Sequence, residues 1–358
     1  MDPAAPTAAQ ARSGNTTLLV CVSIGLAVFI ATDVVASRSD TFWQWVERGA
    51  SGSEDAGVVL EARAFALARE SRLEALVMGS SVADADFSHS LLAERLSVPR
   101  ARVAKLWMPA MSDVELAMLS PQVRALRPAR VFVPVTPFVM LDGLRWDRTR
   151  AYDPSIALRL FSPAELLADR AEHASRAFAS ANVVVRRRAE LRRVLLGSLR
   201  DVTAMPPVVE RPRIGEQIHT LEGATLADFR CDTVHARALV VFAAEVRAAG
   251  AQLVLASAPI AERSVAGSPA LAQRLDACLK SLPLSGAVLR LAQDRPPFGR
   301  RDFRDLIHLG RAAAERFTEW AVGGGAQRPG ATSGDADGRD EDAAGDRRRR
   351  GHRWRRAL

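Results

Sequence analysis

The sequence is poor in aromatic side chains and in cysteine. Aromatic residues make up 6% of its 358 residues, with a single tyrosine, and the aromatic signature of RNA-binding domains is absent. The three cysteines lack zinc-finger spacing, and there is no basic zipper. The formal net charge of +8 is then the one feature that suggests nucleic acid. Much of this excess lies between Arg347 and Arg356, so we expect no nucleic-acid partner.

The composition is that of an ordinary globular protein. Apolar residues make up 48% and charged residues 25% of the chain, which suffices for one large domain with tails. Cys21 lies in an apolar run near the N-terminus, and Cys231 and Cys278 lie in the globular region. The latter two are compatible with one disulfide outside the cytosol or with two buried thiols.

The N-terminal region contains a long apolar run. It extends from Leu18 to Thr32 and resumes after Asp33 as far as Ala36. A spanning helix needs roughly 20 apolar residues, whereas a cleaved signal peptide is shorter and ends in small residues, which Val34 and Ala36 would suit. The run has no amphipathic face, which argues against a buried helix of a soluble protein. We expect a membrane anchor over residues 17–36, after a short tail at 1–16, with the following domain outside the cytoplasm.

After a linker at 37–57, short apolar runs alternate with helical patterns over residues 58–322. The predicted strands are residues 73–78, 103–107, 129–135, 253–257 and 287–291. Strands that alternate with helices predict a parallel α/β sheet of about five strands, covered on both faces. In such sheets the reactive groups belong at the carboxyl ends of the strands.

A helical insertion at about 146–212 interrupts this alternation. Its first helix begins with Ser162 and Pro163, and its second, at 181–199, is rich in arginine. This basic helix either lies against anionic lipid headgroups or presents a solvated face, and the solvated face is favoured. Beyond Gly323 the Arg-rich tail, 323–358, has almost no apolar residues and is expected to be disordered.

Ser81 is the candidate nucleophile. It follows the first predicted strand through Gly79 and Ser80, which places its hydroxyl at the carboxyl edge of the sheet. A serine nucleophile needs a base, and the base needs an orienting acid. Asp305 and His308, three residues apart before the final helix, supply both on the same side.

Two further Asp-x-x-His pairs have the same spacing. Asp86 and His89 are too near Ser81 in sequence to fold back easily, and we expect them to cap the following helix. Asp232 and His235 open a helix and remain a competing acid and base. The favoured role of Asp232 is that of a helix N-cap.

Gly79-Ser80-Ser81 after the first strand, together with Asp305-x-x-His308 before the last helix, resembles the SGNH (GDSL-like) hydrolase superfamily. More narrowly, the chain is similar to its membrane-anchored branch, which includes alginate O-acetyltransferase-like and teichoic-acid D-alanyl-transfer proteins. The resemblance covers residues 73–322. It implies a flavodoxin-like three-layer α/β/α sandwich without a cofactor, in which Ser81 is the nucleophile and Asp305 and His308 complete the triad.

The chain departs from the family pattern at three positions. The family has three conserved motif blocks after the strands. Ser80 occupies the position of the first-block aspartate, Ala110 that of the second-block glycine, and Thr136 is near the position where the family has its third-block asparagine. The implied oxyanion groups are therefore Ser81, Ala110 and Thr136. Losing one such donor costs about a hundredfold in rate.

The resemblance implies an extracytoplasmic serine esterase or acyltransferase that acts on acyl groups of a cell-envelope polysaccharide or other polymer. It also implies a membrane protein that delivers the acyl donor. Water and a sugar hydroxyl remain alternative acceptors. The altered oxyanion positions make a catalytically inactive scaffold or polysaccharide-binding module the alternative, and a basic membrane-surface or nucleic-acid-binding protein is a weaker one.

Overall fold

A computed structural model describes residues 8–50, 55–69, 72–137, 150–194, 229–261, 268–284 and 286–323. The Arg-rich tail after Gly323 and the insertion after residue 194 lie outside these ranges. The predictions made for those two segments are therefore not addressed by the structure.

The described helices are short apart from the first. They are α1 (Ala8–Arg38), α2 (Asp40–Gly49), α3 (Ala56–Leu67), α4 (Ser81–Asp86), α5 (His89–Arg95), α6 (Asp113–Met118), α7 (Ser120–Leu126), α8 (Pro154–Leu160), α9 (Pro163–Ala168), α10 (Arg170–Ser180), α11 (Val183–Arg186), α12 (Val234–Ala248), α13 (Pro269–Ser281) and α14 (Arg311–Val322). Residues 188–194 are also helical. The strands are β1 (Ala75–Gly79), β2 (Val103–Trp107), β3 (Arg130–Val135), β4 (Gln252–Ser257) and β5 (Val288–Arg290).

The five strands form one parallel sheet in the order β2-β1-β3-β4-β5. Ala75 of β1 is in register with Val103 on one side and with Arg130 on the other, so β1 is an interior strand. The predicted α/β architecture is confirmed: a five-stranded parallel sheet has helices on both faces, and an apolar helix precedes it. Because all strands are parallel, their carboxyl ends meet at one edge.

Alternate residues of β1 enter two different cores. Leu76 and Met78 pack with residues of α3, α6, α7 and α12 on one face of the sheet. Ala75 and Val77 pack with residues of α4, α5 and α14 on the other. Successive side chains of a strand point to opposite faces, so a strand covered on both sides must be apolar throughout.

The N-terminal helix is continuous with the domain. Residues Leu19–Ala36 of α1 have a mean hydropathy of 2.4, which is apolar enough and long enough for a membrane anchor or a signal sequence. α1 begins within the predicted tail, and α2 lies in the predicted linker. Ser39 caps α2 by accepting a hydrogen bond from the Phe42 N–H. Trp43 of α2 joins Ala36 in a small core with α3 and α11.

The arginines of the insertion do not form a uniformly solvated face, contrary to the favoured prediction. Arg187 is buried, and its Nε donates to Glu61 Oε1 at 3.0 Å. Arg186 Nε donates to the same oxygen at 3.0 Å, and Arg193 Nε donates to Asp55 Oδ1 at 3.0 Å. Burial alone would raise the pKa of Glu61, but the two arginines outweigh it and lower that pKa. These ion pairs hold the insertion against α3.

Cys231 and Cys278 form a disulfide, with their Cα atoms 5.6 Å apart. The bond joins the segment before α12 to α13. It decides between the two alternatives that the sequence left open. Cys21, in α1, is a free and exposed thiol.

Candidate active site

The turn after β1 presents Ser81 at the carboxyl edge of the sheet. Gly79 has φ 147°, and a Cβ there would lie 3.2 Å from the Ala83 Cβ and 3.5 Å from Pro134 Cδ, so this turn requires glycine. Ser80 Oγ accepts a hydrogen bond from the Val82 N–H at 3.3 Å and caps α4. Ser81 is then the first residue of α4.

Ser81, His308 and Asp305 form a continuous hydrogen-bonded chain. Ser81 Oγ lies 2.9 Å from His308 Nε2, and His308 Nδ1 lies 2.7 Å from Asp305 Oδ2. The structure therefore brings Ser81 into contact with a histidine that lies 227 positions away in the sequence. His308 is mostly buried, with 16% of its side chain exposed, whereas Asp305 is half exposed.

The loop that carries Asp305 and His308 is closed by backbone hydrogen bonds. The Arg304 N–H donates to the His308 carbonyl at 3.0 Å, next to an antiparallel bridge between Phe303 and Leu309. The Ala261 N–H, in the segment that follows β4, donates to the Leu306 carbonyl at 3.0 Å. These contacts hold the histidine at the carboxyl ends of the strands.

Asp305 is held as an anion. Its Oδ1 accepts hydrogen bonds from the Ile307 and His308 N–H groups, each at 2.9 Å. Partial burial works in the opposite direction, but these bonds and the contact with the His308 ring lower the pKa of the Asp305 carboxyl. An ionised carboxylate on Nδ1 holds the proton there and leaves Nε2 as the acceptor toward Ser81.

Asp86 has a different place from the predicted one. It does not cap α5, because Ser88 does so by accepting from the Leu91 N–H. Asp86 is fully buried, and its Oδ1 accepts a hydrogen bond from the Leu309 N–H at 2.9 Å. Burial raises the pKa of this carboxyl to about 7, despite the opposing effects of the Leu309 bond and of Arg304. No sequence pattern pointed to this contact.

The remaining residues of the other two Asp-x-x-His pairs also lie away from Ser81. Asp232 is exposed and pairs with Arg230, at 2.9 Å between Arg230 Nη2 and Asp232 Oδ2. It is not the cap of α12, since Thr233 Oγ1 accepts from the Ala236 N–H. His235 is buried. His89 Nε2 lies 2.7 Å from the Val103 carbonyl oxygen.

Ala110 lies in a loop that is bonded to the turn of Ser81. Its φ of 51° is in the left-handed region, although it is not glycine. The Met108 N–H donates to the Gly79 carbonyl at 3.2 Å, and Arg150 Nη2 donates to the Pro109 carbonyl at 2.8 Å. Thr136 is buried directly after β3, the neighbour of β1.

Arg150 has a role that the sequence did not indicate. Its backbone N–H and its Nε donate to Glu115 Oε1 at 2.7 Å and 3.0 Å. Glu115 is almost fully buried, and its other oxygen completes a capping box with Ser112 at the start of α6. The capping box was visible in the sequence, but a carboxylate that caps a helix gives no indication of a distant arginine partner.

Among the described residues, no group of three or more His, Cys, Asp or Glu side chains is arranged to hold a metal ion.

Comparison with known proteins finds no family model that matches this chain, and no curated protein matches its sequence.

Proposed function

We propose that the protein is a serine esterase or acyltransferase in which Ser81, His308 and Asp305 form the catalytic triad. The observation that carries this proposal is the pair of hydrogen bonds of His308, 2.9 Å to Ser81 Oγ and 2.7 Å to Asp305 Oδ2. These distances are within the reach that nucleophile, base and orienting acid require.

In the proposed reaction, Ser81 Oγ attacks the carbonyl carbon of an ester while His308 Nε2 takes the hydroxyl proton. The tetrahedral intermediate collapses, the C–O bond of the leaving alcohol breaks, and His308 returns the proton to that oxygen. Water or a sugar hydroxyl then attacks the acyl-Ser81 ester, with His308 taking its proton. The bond between the acyl carbon and Ser81 Oγ breaks, and His308 returns the proton to Ser81 Oγ. Asp305 stabilises the charged imidazole at each step.

The oxyanion is proposed to accept hydrogen bonds from the Ser81 and Ala110 N–H groups and from Thr136. As the first residue of α4, Ser81 has an N–H without a partner inside that helix. Ala110 is exposed and adopts the left-handed conformation that glycine favours. This conformation supports a working oxyanion site without glycine, and it weighs against the inactive scaffold as the alternative function.

We propose that α1 is a retained anchor rather than a cleaved signal peptide. Cleavage after Ala36 would remove Phe29 and Asp33, whose oxygens accept hydrogen bonds from Asn182 and Val183 of the domain. It would also remove Ala36 from its core. An extracytoplasmic position of the domain is supported by the Cys231–Cys278 disulfide, since such bonds persist in oxidising compartments.

The proposed substrate is an acylated polymer of the cell envelope, such as an O-acetylated glycan, with a membrane protein as the source of the acyl donor. This part of the proposal is supported by the resemblance of the Gly79-Ser80-Ser81 and Asp305-x-x-His308 motifs to the membrane-anchored SGNH proteins. The anchor fits such a substrate, because it keeps the domain next to the envelope.

A fluorophosphonate probe tests the proposal on the full chain in detergent. Ser81→Ala is expected to abolish covalent labelling, because the phosphonate then has no nucleophile. Ser80→Ala removes the neighbouring hydroxyl and should retain labelling. Labelling that persists in Ser81→Ala would contradict Ser81 as the nucleophile. Absence of labelling from the folded native chain would contradict an enzymatic function and favour the inactive scaffold. Release of acetate from acetylated glycans then identifies the substrate.

A further inference from the structure

Helices α9 and α10 carry a line of apolar side chains on their outer side. Asp169 separates the two helices, but the hydrogen bonds from the Asp169 N–H to the Glu165 carbonyl (3.2 Å) and from the His173 N–H to the Asp169 carbonyl (3.0 Å) continue the helical pattern through it. Side chains three or four residues apart therefore share a face. We call Leu167, Ala171, Ala174 and Phe178, which have this spacing, the apolar stripe.

The stripe is exposed, whereas the opposite side of α10 is fixed to the domain. Leu167 is 69% exposed and Phe178 66%, and both alanines are exposed as well. On the inner side, His173 is buried, and its Nδ1 lies 2.9 Å from the Tyr152 hydroxyl. The stripe cannot turn inward without breaking this contact.

One end of the stripe touches the apolar span of α1. The rings of Phe178 and Phe29 are stacked, with their centroids 5.5 Å apart. Two polar contacts next to them fix the position: Asn182 Nδ2 donates to the Phe29 carbonyl at 2.5 Å, and the Val183 N–H donates to Asp33 Oδ1 at 2.7 Å. The stripe is therefore continuous with the surface of α1.

Phe29 lies well inside the apolar span. It precedes the end of the Leu19–Ala36 span by seven residues, which corresponds to about 10 Å along the helix axis at 1.5 Å per residue. The side chains of that span are almost entirely exposed. Lipid that surrounds α1 at the depth of Phe29 must also meet Phe178, and interfacial helices place their apolar face at about this depth.

We propose that the apolar stripe is a second membrane contact, which rests in the acyl-chain and headgroup boundary of the leaflet that faces the domain. This inference depends on the proposed anchoring by α1 and goes beyond it. A helix that only tethers a domain leaves the domain free to rotate about the tether. Two contacts on different elements instead fix one orientation of the domain relative to the bilayer.

Lipid is the occupant that these observations favour over a partner protein. Leu167 and Phe178 are eleven residues apart, or roughly 16 Å along a helix. The stripe positions between them are alanines, and the exposed Arg170 flanks them. Because the bilayer that covers α1 reaches Phe178 directly, a covered stripe requires no further protein. A membrane partner is the competing occupant in the experiment.

The experiment uses an environment-sensitive fluorophore on single cysteines of the full chain in phospholipid vesicles that contain no other protein. Cys21→Ala removes the free thiol, and Cys231 and Cys278 are bonded to each other. Leu167→Cys and Phe178→Cys place the label on the stripe. Arg311→Cys, at a side chain that is 94% exposed on α14, is the matched control.

On the stripe, lipid-borne nitroxide is expected to quench the label severalfold more, and aqueous iodide severalfold less, than at position 311. Equal quenching at all three positions would overturn the proposal, as would shielding from iodide that appears only in native membranes, which would indicate a partner protein. A label on native Cys21 distinguishes failure of the proposed anchor from failure of the stripe proposal. If it is quenched from the lipid while the stripe is not, the anchor stands and the stripe proposal fails.

Discussion

Leu309 directly follows His308 in the chain, and its N–H donates a 2.9 Å hydrogen bond to Asp86 Oδ1. Asp86 ends α4, the helix that Ser81 begins. A single buried carboxyl therefore joins the element that holds the proposed nucleophile to the loop that holds the proposed base.

Asp86 is predicted to position His308. In Asp86→Ala the Leu309 N–H loses its acceptor, and the loop is free to shift, so the rate of fluorophosphonate labelling should fall by about 10- to 100-fold. Asp86→Asn keeps an oxygen at the same place and should restore most of the rate. Equal losses in both variants would contradict a positioning role and indicate a need for the carboxyl itself.

The raised pKa of Asp86, about 7 against an ordinary 3.8, predicts a pH dependence of stability. Between these values the folded protein holds a proton that the unfolded chain has released. The free energy of unfolding therefore falls as the pH rises through this window, by on the order of 4 kcal/mol. Charged neighbours of Asp86 are Arg304, Asp305 and Lys105.

Asp86→Asn should remove this decline. Denaturant unfolding of the variant and of the native protein from pH 4 to pH 8 is expected to show a stability difference that shifts in favour of the variant as the pH rises. Asp169→Asn, at an exposed carboxyl, is the control and should follow the native curve. Parallel curves for Asp86→Asn and the native protein would contradict the raised pKa.

Asp305→Asn is predicted to impair catalysis without unfolding the loop. The amide oxygen can still accept from the Ile307 and His308 N–H groups, but no anion remains to hold the proton on His308 Nδ1. Labelling should slow by about 10²- to 10⁴-fold, with little change in Tm. Asp302→Asn alters the same loop at a carboxyl that pairs with Arg316, and should leave the labelling rate intact. Equal rates in the two variants would remove Asp305 from the triad.

The left-handed conformation of Ala110 predicts an unusual response to glycine. An alanine at φ 51° carries strain that glycine does not. Ala110→Gly should therefore be neutral or stabilise the fold by up to about 1 kcal/mol. Ala277→Gly, at an exposed position inside α13, should instead cost about 1 kcal/mol. Chemical denaturation measures both, and a similar loss in the two variants would contradict the strain at Ala110.

Arg187 is predicted to be essential for the insertion to pack. Arg187→Met takes the guanidinium partner from the buried carboxylate of Glu190 and leaves Glu61 with Arg186 alone, at a cost of about 3–5 kcal/mol. Arg188 is exposed on the same helical segment, and Arg188→Met should change stability by less than about 0.5 kcal/mol. Thermal unfolding of the two variants tests this difference. Equal Tm values would show that the buried ion pairs contribute little.

The disulfide is predicted to stabilise the domain. Its two cysteines are 47 positions apart. Closing a loop of this size lowers the entropy of the unfolded chain and so raises the free energy of unfolding by about 2–4 kcal/mol. The double variant Cys231→Ala/Cys278→Ala should lose that amount in denaturant unfolding. Reducing agent should destabilise the native protein and leave the double variant unchanged. If the reducing agent destabilises both proteins equally, its effect does not come from this disulfide.

Local patterns in the sequence determined most of the secondary structure. The helix start at Ser162 and Pro163 was predicted, and Ser162 caps α9 there, because a cap involves neighbours in the chain. All five strands were predicted from short apolar runs, since strands of a sheet that is covered on both faces are mainly apolar. The six-residue α4 and the ten-residue α2 are short, and both were missed.

Only the tertiary structure decided which residues meet. The three Asp-x-x-His pairs are alike in sequence, yet one lies against Ser81, one caps nothing and holds Leu309 through Asp86, and one is turned to solvent at Asp232. The same holds for Arg187, whose burial depends on carboxylates far along the chain. The sequence by itself determines local structure, such as helices, strands and caps, because these depend on residues that are close in the chain. Contacts across 227 positions exist only once the sheet has brought its strand ends to one edge.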